Sequence, residues 1–299
     1  MNSGIHRNKN NLKTDKKLME QKQKIIIEAN QRSSIFNWKE FWRYRDLLYF
    51  MVLRDVTVLY KQTILGFTWA IINPLFQIVI FSVVFGSLVG VKPGVGDMPY
   101  PVFSALAVIP WTYFSNSLNA SGQSLITANS ILSKVYFPRI IFPLVPTLSK
   151  LVDFVISFLI LIGVMFYFHY QPGTNVVYVF IPLLLIIISS AGLGFWFSAL
   201  SVQYRDFKFA LSFMLPLLMY AAPVVFPAIK IQQKLGDAYY HAYALYPMVG
   251  GIEGFRNCFS NGAKMPWDII AISGTMALVI FISGAWYFKK MEKYFADIA

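Results

Sequence analysis

Apolar residues fill six long stretches of the chain, and the charged residues lie almost entirely between them. Each stretch has about 20 residues or more, which as a helix spans the ~30 Å hydrocarbon core of a bilayer. Backbone in lipid must satisfy its own hydrogen bonds, so each stretch is predicted to be a helix. The pattern therefore predicts an all-α integral membrane protein with six transmembrane helices. The stretches are Ile64–Val91, Tyr100–Gly122, Ile140–Tyr167, Val176–Leu200, Phe209–Ala228 and Ile269–Phe288.

The residues before the first stretch follow two other patterns. Residues 1–34 are polar and rich in Lys, which predicts a basic, flexible tail. In residues 35–63, aromatic and aliphatic side chains recur at spacings of three and four, and Lys and Arg fall on another face. This spacing predicts an amphipathic helix that lies in the membrane interface. A helix packed against a soluble partner is the alternative.

Two further segments combine charge with apolar surroundings. Between the fifth and sixth stretches, Ala244–Phe259 is too apolar for a free loop and too short to cross a bilayer, so a re-entrant or interfacial segment is predicted. Glu253 and Arg256 are spaced there to form an ion pair. Lys150 and Asp153 lie inside the third stretch, where a structural ion pair is favoured over a proton or ion site, because one pair is not a relay.

Composition indicates a membrane protein, and the distribution of charge predicts how the protein is oriented in the membrane. Apolar residues make up 57% of the chain and charged residues 13%, against about 25% charged in soluble domains. Thirteen of the 26 Lys and Arg residues precede Gln62. With six helices both termini lie on one side, and the positive-inside rule makes that side the cytoplasm. The domains predicted are the tail 1–34, the interface helix 35–63, the six-helix domain 64–290 and a cytoplasmic C-terminus 291–299. On the outer side, Lys and Arg are limited to Lys92, Lys230, Lys234, Arg256 and Lys264.

Several kinds of chemistry have no sequence signature in the chain. There is no Gly-rich phosphate loop, no HExxH motif, no carboxylate ladder and a single cysteine, Cys258. No aromatic–basic nucleic-acid module is visible, so no nucleic-acid partner is expected despite the net charge of +12. These features predict a passive conduit without cofactors of its own, driven by another component.

Four motifs, in this order, carry a family resemblance. They are RDVTVLYKQTILGFTWAIINPL (Arg54–Leu75), KVYFPR (Lys134–Arg139), YRDF (Tyr204–Phe207) and YPMVGGIEGFR (Tyr246–Arg256). The chain resembles the permease subunits of bacterial type-2 ABC polysaccharide exporters. It is most similar to O-antigen/lipopolysaccharide permeases, with capsule and teichoic acid permeases as near relatives. One departure is Tyr246-Pro247, where the family often has Asn-Pro.

The resemblance implies partners and a substrate. It implies a homodimer bound to two copies of a nucleotide-binding ATPase, which holds the ATP and magnesium. It also implies that an undecaprenyl-pyrophosphate-linked polysaccharide crosses the bacterial plasma (inner) membrane through a channel at the dimer interface. Three alternatives remain open: a small-molecule type-2 ABC exporter, a membrane-embedded enzyme such as a glycosyltransferase, and a non-catalytic scaffold.

The resemblance and the residue chemistry together predict four sets of functional residues, and no catalytic or metal site. An ATPase-coupling set comprises Lys134, Val135, Tyr136, Phe137, Pro138 and Arg139, with Arg205 and Asp206, the alternative being a basic turn at the lipid headgroups. An entry set for the lipid pyrophosphate comprises Arg54, Lys61, Gln62, Leu65 and Gly66, the alternative being a simple corner between helices. An outer gate comprises Tyr246, Pro247, Glu253 and Arg256.

Aromatic and amide side chains supply the last set, candidates for a glycan channel. The aromatics are Trp69, Trp111, Tyr113, Phe114, Trp196 and Tyr220, because rings pack against the C–H faces of sugars. The alternative for each is the aromatic belt found at membrane interfaces. The polar run Ser115, Asn116, Ser117, Asn119, Ser121 and Gln123 is predicted to line either a wet path or a helix contact.

Overall fold

Helices make up the regular structure of the chain. The computed structural model describes residues 42–61, 68–93, 98–128, 138–204 and 206–292, and no residue in these ranges lies in a strand. The predicted all-α class is therefore confirmed. In the described ranges the α-helices are α1 (Arg45–Lys61), α2 (Thr68–Phe81), α3 (Tyr100–Thr127), α4 (Ile141–Tyr167), α5 (Phe180–Gln203), α6 (Phe207–Ala221), α7 (Ile229–Leu235), α8 (Asp237–Tyr243), α9 (Pro247–Phe259) and α10 (Trp267–Met291). The predicted tail 1–34 lies outside the described residues, as does most of the segment 291–299.

Four helical segments are long and apolar enough to cross a membrane. They are Thr68–Leu88, Ile141–Tyr167, Thr174–Gln203 and Trp267–Met291, and they match the first, third, fourth and sixth predicted stretches. The first continues α2 through a π-helical turn, and the third includes a 3₁₀ turn ahead of α5. The chain is therefore a multi-pass membrane protein.

The second and fifth predicted stretches form helices of another character. The second is α3, which has 28 residues and no charge, but whose polar run makes it less hydropathic than the four segments above. The fifth is α6, which has 15 residues and ends at Ala221, seven residues before the predicted end. The remainder of that stretch, residues 222–228, is not helical and contains Pro223 and Pro227, which interrupt helices.

The interface-helix prediction for residues 35–63 corresponds to α1, with residues 35–41 and 62–63 outside the described ranges. One face of α1 packs on α4, where Met51 joins a buried cluster with Phe142 and Val145. The opposite face exposes Tyr49 and Phe50, and Trp42, which precedes α1, is exposed as well. An apolar, aromatic outer face of this kind is what a helix at a membrane interface presents to lipid.

Polar contacts inside the bundle concentrate on α3, which packs against α4, α5 and α9. Ser190 of α5 donates to Ser117 (2.6 Å), and Ser121 donates to the carbonyl oxygen of Pro143 in α4 (2.8 Å). Tyr113 donates to the carbonyl oxygen of Thr147 (3.0 Å). Hydroxyl side chains bond helices together in this way within membranes.

Helices α5 and α10 approach at a pair of glycines. A Cβ added to Gly192 would lie 2.7 Å from the Cα of Phe281, and one added to Gly284 would overlap the carbonyl oxygen of Gly192. One turn along, the rings of Trp196 and Tyr287 stack with centroids 4.3 Å apart. The close approach depends on the absence of side chains at both glycines.

Gly284→Ala is therefore expected to lower the free energy of unfolding by about 1–3 kcal/mol, the usual cost of overpacking a core. The measurement is the midpoint of thermal unfolding of the purified protein in detergent. Gly163→Ala is the matched control, because Gly163 lies in α4 with open space around it and an alanine there favours the helix by roughly 0.5–1 kcal/mol. Equal midpoints for the two variants would contradict the packing described.

Candidate functional site

A cavity of about 870 Å³ lies between α1, α2, α3 and α4. Its volume falls within the range of about 300–1,000 Å³ that binding sites for small molecules occupy. Several segments that the sequence singled out separately meet here: the RDVTVLY motif, Trp69, the polar run of α3 and the pair Lys150–Asp153. This is the candidate functional site.

One wall of the cavity is a polar stripe on α3. Thr112, Asn116, Asn119, Gln123 and Thr127 line the cavity and follow one another at spacings of three and four, so they share one helix face. Asn119 accepts a hydrogen bond from Gln123 (3.0 Å). The other part of the polar run, with Ser117 and Ser121, bonds to α5 and α4 as described above. The polar run therefore lines a cavity with one face of α3 and bonds to neighbouring helices with the other.

The opposite wall carries the ion pair of α4. Lys150 Nζ lies 2.9 Å from Asp153 Oδ2, and the two side chains are 18% and 20% exposed. The hydroxyl of Tyr60, in α1, donates to the other oxygen of the Asp153 carboxylate. The predicted ion pair is confirmed, and Tyr60 extends it into a link between α1 and α4.

Arg54 is the entry-set residue that lines the cavity. Its guanidinium is paired with its neighbour Asp55, with Nη2 3.0 Å from Oδ1. Lys61 is exposed at the last residue of α1. Gln62, Leu65 and Gly66 lie outside the described residues, so the entry set stays a prediction.

A second site lies at the other end of the bundle, on α9. All 13 residues of this helix are buried, and the side chain of Arg256 is fully buried. Arg256 Nη1 lies 2.6 Å from Glu253 Oε1, and the guanidinium carbon is 3.9 Å from the ring centroid of Phe103. The predicted Glu253–Arg256 pair is therefore confirmed.

The same pair bonds the non-helical segment that follows α6. Arg256 Nη2 donates to the carbonyl oxygen of Pro223 (2.6 Å), and Glu253 accepts from the backbone N–H of Ala228 (2.8 Å). The other outer-gate residues, Tyr246 and Pro247, are the half-buried N-cap and the buried first residue of α9. The pair ties α9 to residues 222–228, and the gating role stays a prediction.

A family model described as "ABC-2 type transporter" matches residues 46–259, from the start of α1 to the end of α9. The chain belongs to the ABC-2 type transporter family. The matched region contains the cavity residues and the buried ion pair of α9.

Curated relatives of this ABC-2 chain carry names from polysaccharide export. The O-antigen export system permease protein RfbA of Klebsiella pneumoniae is 27% identical over 85% of this chain and 95% of its own length. The protein of that name from Myxococcus xanthus is 24% identical over 87% and 97%. The polysialic acid transport protein KpsM of Escherichia coli is 25% identical over 71% of this chain and 80% of its own length.

The coupling set of the ABC-2 chain is described only in part. Lys134, Val135, Tyr136, Phe137 and Arg205 lie outside the described residues. Pro138 and Arg139 precede α4, and Arg139 Nη1 donates to the carbonyl oxygen of Glu292 (2.9 Å), just past the end of α10. Asp206 is the N-cap residue of α6. The partial negative charge at the C-terminal end of a helix attracts a cation. Through this bond Arg139, the last residue of the KVYFPR motif, is connected to the end of α10.

The six aromatic candidates separate into four environments. Trp69 lines the cavity and is 48% exposed. Trp196 stacks on Tyr287 between α5 and α10, and Tyr220 is exposed on α6. The others, Trp111, Tyr113 and Phe114, are buried in the core of the bundle. Channel lining by these residues stays a prediction, and Trp69 is the one that the structure places beside the polar stripe.

Several cavity residues received no individual role from the sequence, and three of them are polar residues that bear on the site. Tyr60, Asn73 and Thr112 line the cavity along with the predicted residues. Thr112 bonds to Gln77 of α2 (3.2 Å), and Asn73 lies one turn before Gln77. The signal that was available is the four-residue spacing Trp69–Asn73–Gln77, which puts these side chains on one face of α2.

Removing one partner of the α9 pair is expected to be costly. Glu253→Gln leaves Arg256 buried without its carboxylate, which lowers the free energy of unfolding by about 3–5 kcal/mol. The measurement is the yield and thermal midpoint of the folded protein in detergent.

The matched control is Asp46→Asn, which breaks an exposed pair with Arg45. Exposed pairs contribute about 0–1 kcal/mol, so this variant should behave like the parent protein. A Glu253→Gln protein as stable as the Asp46→Asn protein would show that the buried pair does not hold α9 in place.

Proposed function

We propose that this chain is the permease subunit of an ATP-driven exporter that moves lipid-linked polysaccharide of the O-antigen type from the cytoplasm across the bacterial plasma membrane. The observation that carries the proposal is the alignment with O-antigen export permeases over 85% of this chain and 95% of theirs. That alignment is long enough to include the helices that form the cavity. A chain that supplies the path, and not the energy, also agrees with the absence of a phosphate loop from its sequence.

The proposed topology has six membrane spans, with both termini in the cytoplasm. Helix α3 provides the second span, because at 1.5 Å per residue its 28 residues exceed the thickness of the bilayer core. Helix α6 contributes to the fifth span. The concentration of Lys and Arg near the termini supports the orientation. Helix α9 is proposed as a re-entrant segment on the outer side, since its 13 residues are too few to span.

The working unit is proposed to be a homodimer with two copies of a separate ATPase, which binds ATP and magnesium. Helices α2 and α6 support this, because large apolar residues on both are exposed in the single chain, among them Val79, Ile80, Phe209 and Phe213. Surfaces of this kind face lipid or a second copy. The KVYFPR motif is proposed to contact the ATPase and to pass its movement to α4 and α10 through Arg139.

The pyrophosphate of the lipid carrier is proposed to enter where α1 leads into α2. Lys61 supplies an exposed cation there, and Gly66 is predicted to supply backbone that a phosphate can approach closely. Arg54, the other cation of the entry set, is paired with Asp55 and lines the cavity instead. Export of a capsular polysaccharide is the second candidate, supported by the KpsM alignment over 71% of this chain. The two candidates share the fold and differ in the glycan carried.

The experiment that tests the proposal is deletion of the gene. Loss of surface polysaccharide on gels, together with accumulation of lipid-linked chains in the inner membrane, is the expected result, because synthesis continues while export stops. Loss of both pools would indicate a role in synthesis. An unchanged surface would indicate export of a small molecule, and either result would overturn the proposal.

Tyr136→Ala with Arg139→Ala is expected to uncouple the ATPase from export. The altered loop loses its aromatic anchor and its bond to the end of α10, while the spans keep their packing. The measurements are ATP hydrolysis by the purified complex and surface polysaccharide in cells, with at least a tenfold loss of export expected at a normal protein level. Lys230→Ala, in α7 at the opposite end of the bundle, is the control. Full export by the double variant would remove the coupling role.

A further inference from the structure

Two neutral side chains in the cavity have hydrogen-bonding groups that no other described residue uses. Within the part of the chain that the structure describes, Asn73 and Asn116 form no side-chain hydrogen bond to another residue, although both line the cavity and both are exposed. Each carboxamide offers two N–H donors and one carbonyl acceptor. The hydroxyl of Thr112 and the amide of Gln123 lie on the same stripe. The cavity thus holds donors and acceptors that are available to a ligand.

The charges in the cavity cancel. Its charged lining residues are Arg54, Asp55, Lys150 and Asp153, which form two ion pairs with N–O distances of 3.0 and 2.9 Å. Tyr60 adds a further donor to Asp153. A phosphate or pyrophosphate is recognised by cations that are free to bond with its oxygens. Because each cation in the described lining is already paired with a carboxylate, the cavity is poorly suited to an anion.

The cavity is also long and has an aromatic side. From Thr112 to Thr127 the stripe covers about 22 Å of helix, at 1.5 Å per residue. Trp69 stands beside it on α2, with 48% of its surface exposed. A ring next to neutral donors and acceptors complements a ligand that has hydroxyl groups on its edges and C–H groups on its faces. Sugars have that chemistry, and an elongated site accommodates several linked units.

Building on the function proposed above, we infer that this cavity is a carbohydrate subsite inside each protomer. It binds uncharged sugar units of the exported chain through Asn73, Asn116 and Trp69. The pyrophosphate of the carrier binds to groups outside it. The subsite therefore distinguishes the glycan from its lipid carrier.

Photo-cross-linking in cells tests which chemical group reaches the cavity. The full-length protein carries p-benzoylphenylalanine in place of Asn116 and is expressed with its ATPase in cells fed a tritiated sugar. Tritium is expected on this variant at a level at least tenfold above that on a variant with the same probe in place of Thr275. Thr275 is an exposed hydroxyl residue of α10 and is not among the cavity-lining residues. Equal labelling of the two variants, with surface glycan still produced by the parent strain, would overturn the inference.

A second measurement separates the sugar from the phosphate. The purified complex in lipid nanodiscs is assayed for ATP hydrolysis stimulated by undecaprenyl pyrophosphate, either bare or carrying the glycan. Asn73→Leu with Asn116→Leu is expected to raise the concentration of lipid-linked glycan needed for half-maximal stimulation about tenfold, the effect of losing two neutral hydrogen bonds. The requirement for the bare lipid should stay within about twofold, because its phosphates bond elsewhere. Thr275→Leu is the control for an added apolar side chain.

The other outcomes of that assay are distinct. An equal loss with both lipids would assign the cavity to the headgroup, and no change with either would show that the cavity takes no part in binding; each overturns the inference and leaves the proposed function standing. A parent complex that neither lipid stimulates, from a gene whose deletion leaves surface glycan intact, would overturn the proposed function and the inference with it.

Discussion

Polar groups inside a bilayer have to bond to protein or to water, and this constraint decides where α3 lies. A helix with hydroxyl and amide side chains along half its length cannot face lipid on that half. In the structure its hydroxyls bond to α4 and α5, and its amides border a cavity. The hydroxyls need bonding partners, which explains why α4 and α5 pack against α3. The amides need a polar space, which explains the cavity beside α3. The four more hydropathic segments pack around α3 or face outward.

The buried pair on α9 meets the same constraint at the other end of the bundle. Residues 222–228 are apolar but not helical, so their backbone groups lack the regular bonds of a helix and some need partners from elsewhere. Arg256 bonds to the carbonyl oxygen of Pro223 and Glu253 to the N–H of Ala228. A charged pair is expensive to bury unless its remaining bonds are used, and here those bonds stabilise the segment. The pair is therefore a cross-link between α9 and the chain that follows α6.

This arrangement also shows what the sequence can and cannot predict. Apolar runs marked the long helices correctly, because length and hydropathy are local properties. The run Phe209–Ala228 was predicted as one helix, and it ends at Ala221, because apolarity does not distinguish a helix from a buried extended segment. The two prolines were the local signal for the break. The side chains that make the break stable lie on a helix 25 and 33 residues further along the chain.

In the candidate site, too, some contacts could be predicted from the sequence and others could not. Lys150–Asp153, Glu253–Arg256 and the α3 stripe could be predicted, because spacings of three and four bring side chains together on one helix. The contacts between helices could not. Tyr60 and Asp153 are 93 residues apart in sequence, and Arg139 and Glu292 are 153 apart. The entry-set prediction makes Arg54 available to an anion, whereas in the structure Arg54 pairs with Asp55, its neighbour in α1.

A neutral cavity suits the movement of a long chain. A conduit has to bind its cargo well enough to admit it and weakly enough to release it. A neutral hydrogen bond contributes about 0.5–1.5 kcal/mol net, and a bond to a charged group roughly 1.5–3 kcal/mol. With Arg54 and Lys150 each held by a carboxylate, a sugar in the cavity meets the weaker kind of bond at Asn73 and Asn116. As the chain moves, one sugar unit can give up these bonds and the following unit can form them at a small cost in free energy. Free cations would instead hold an anionic group in one place.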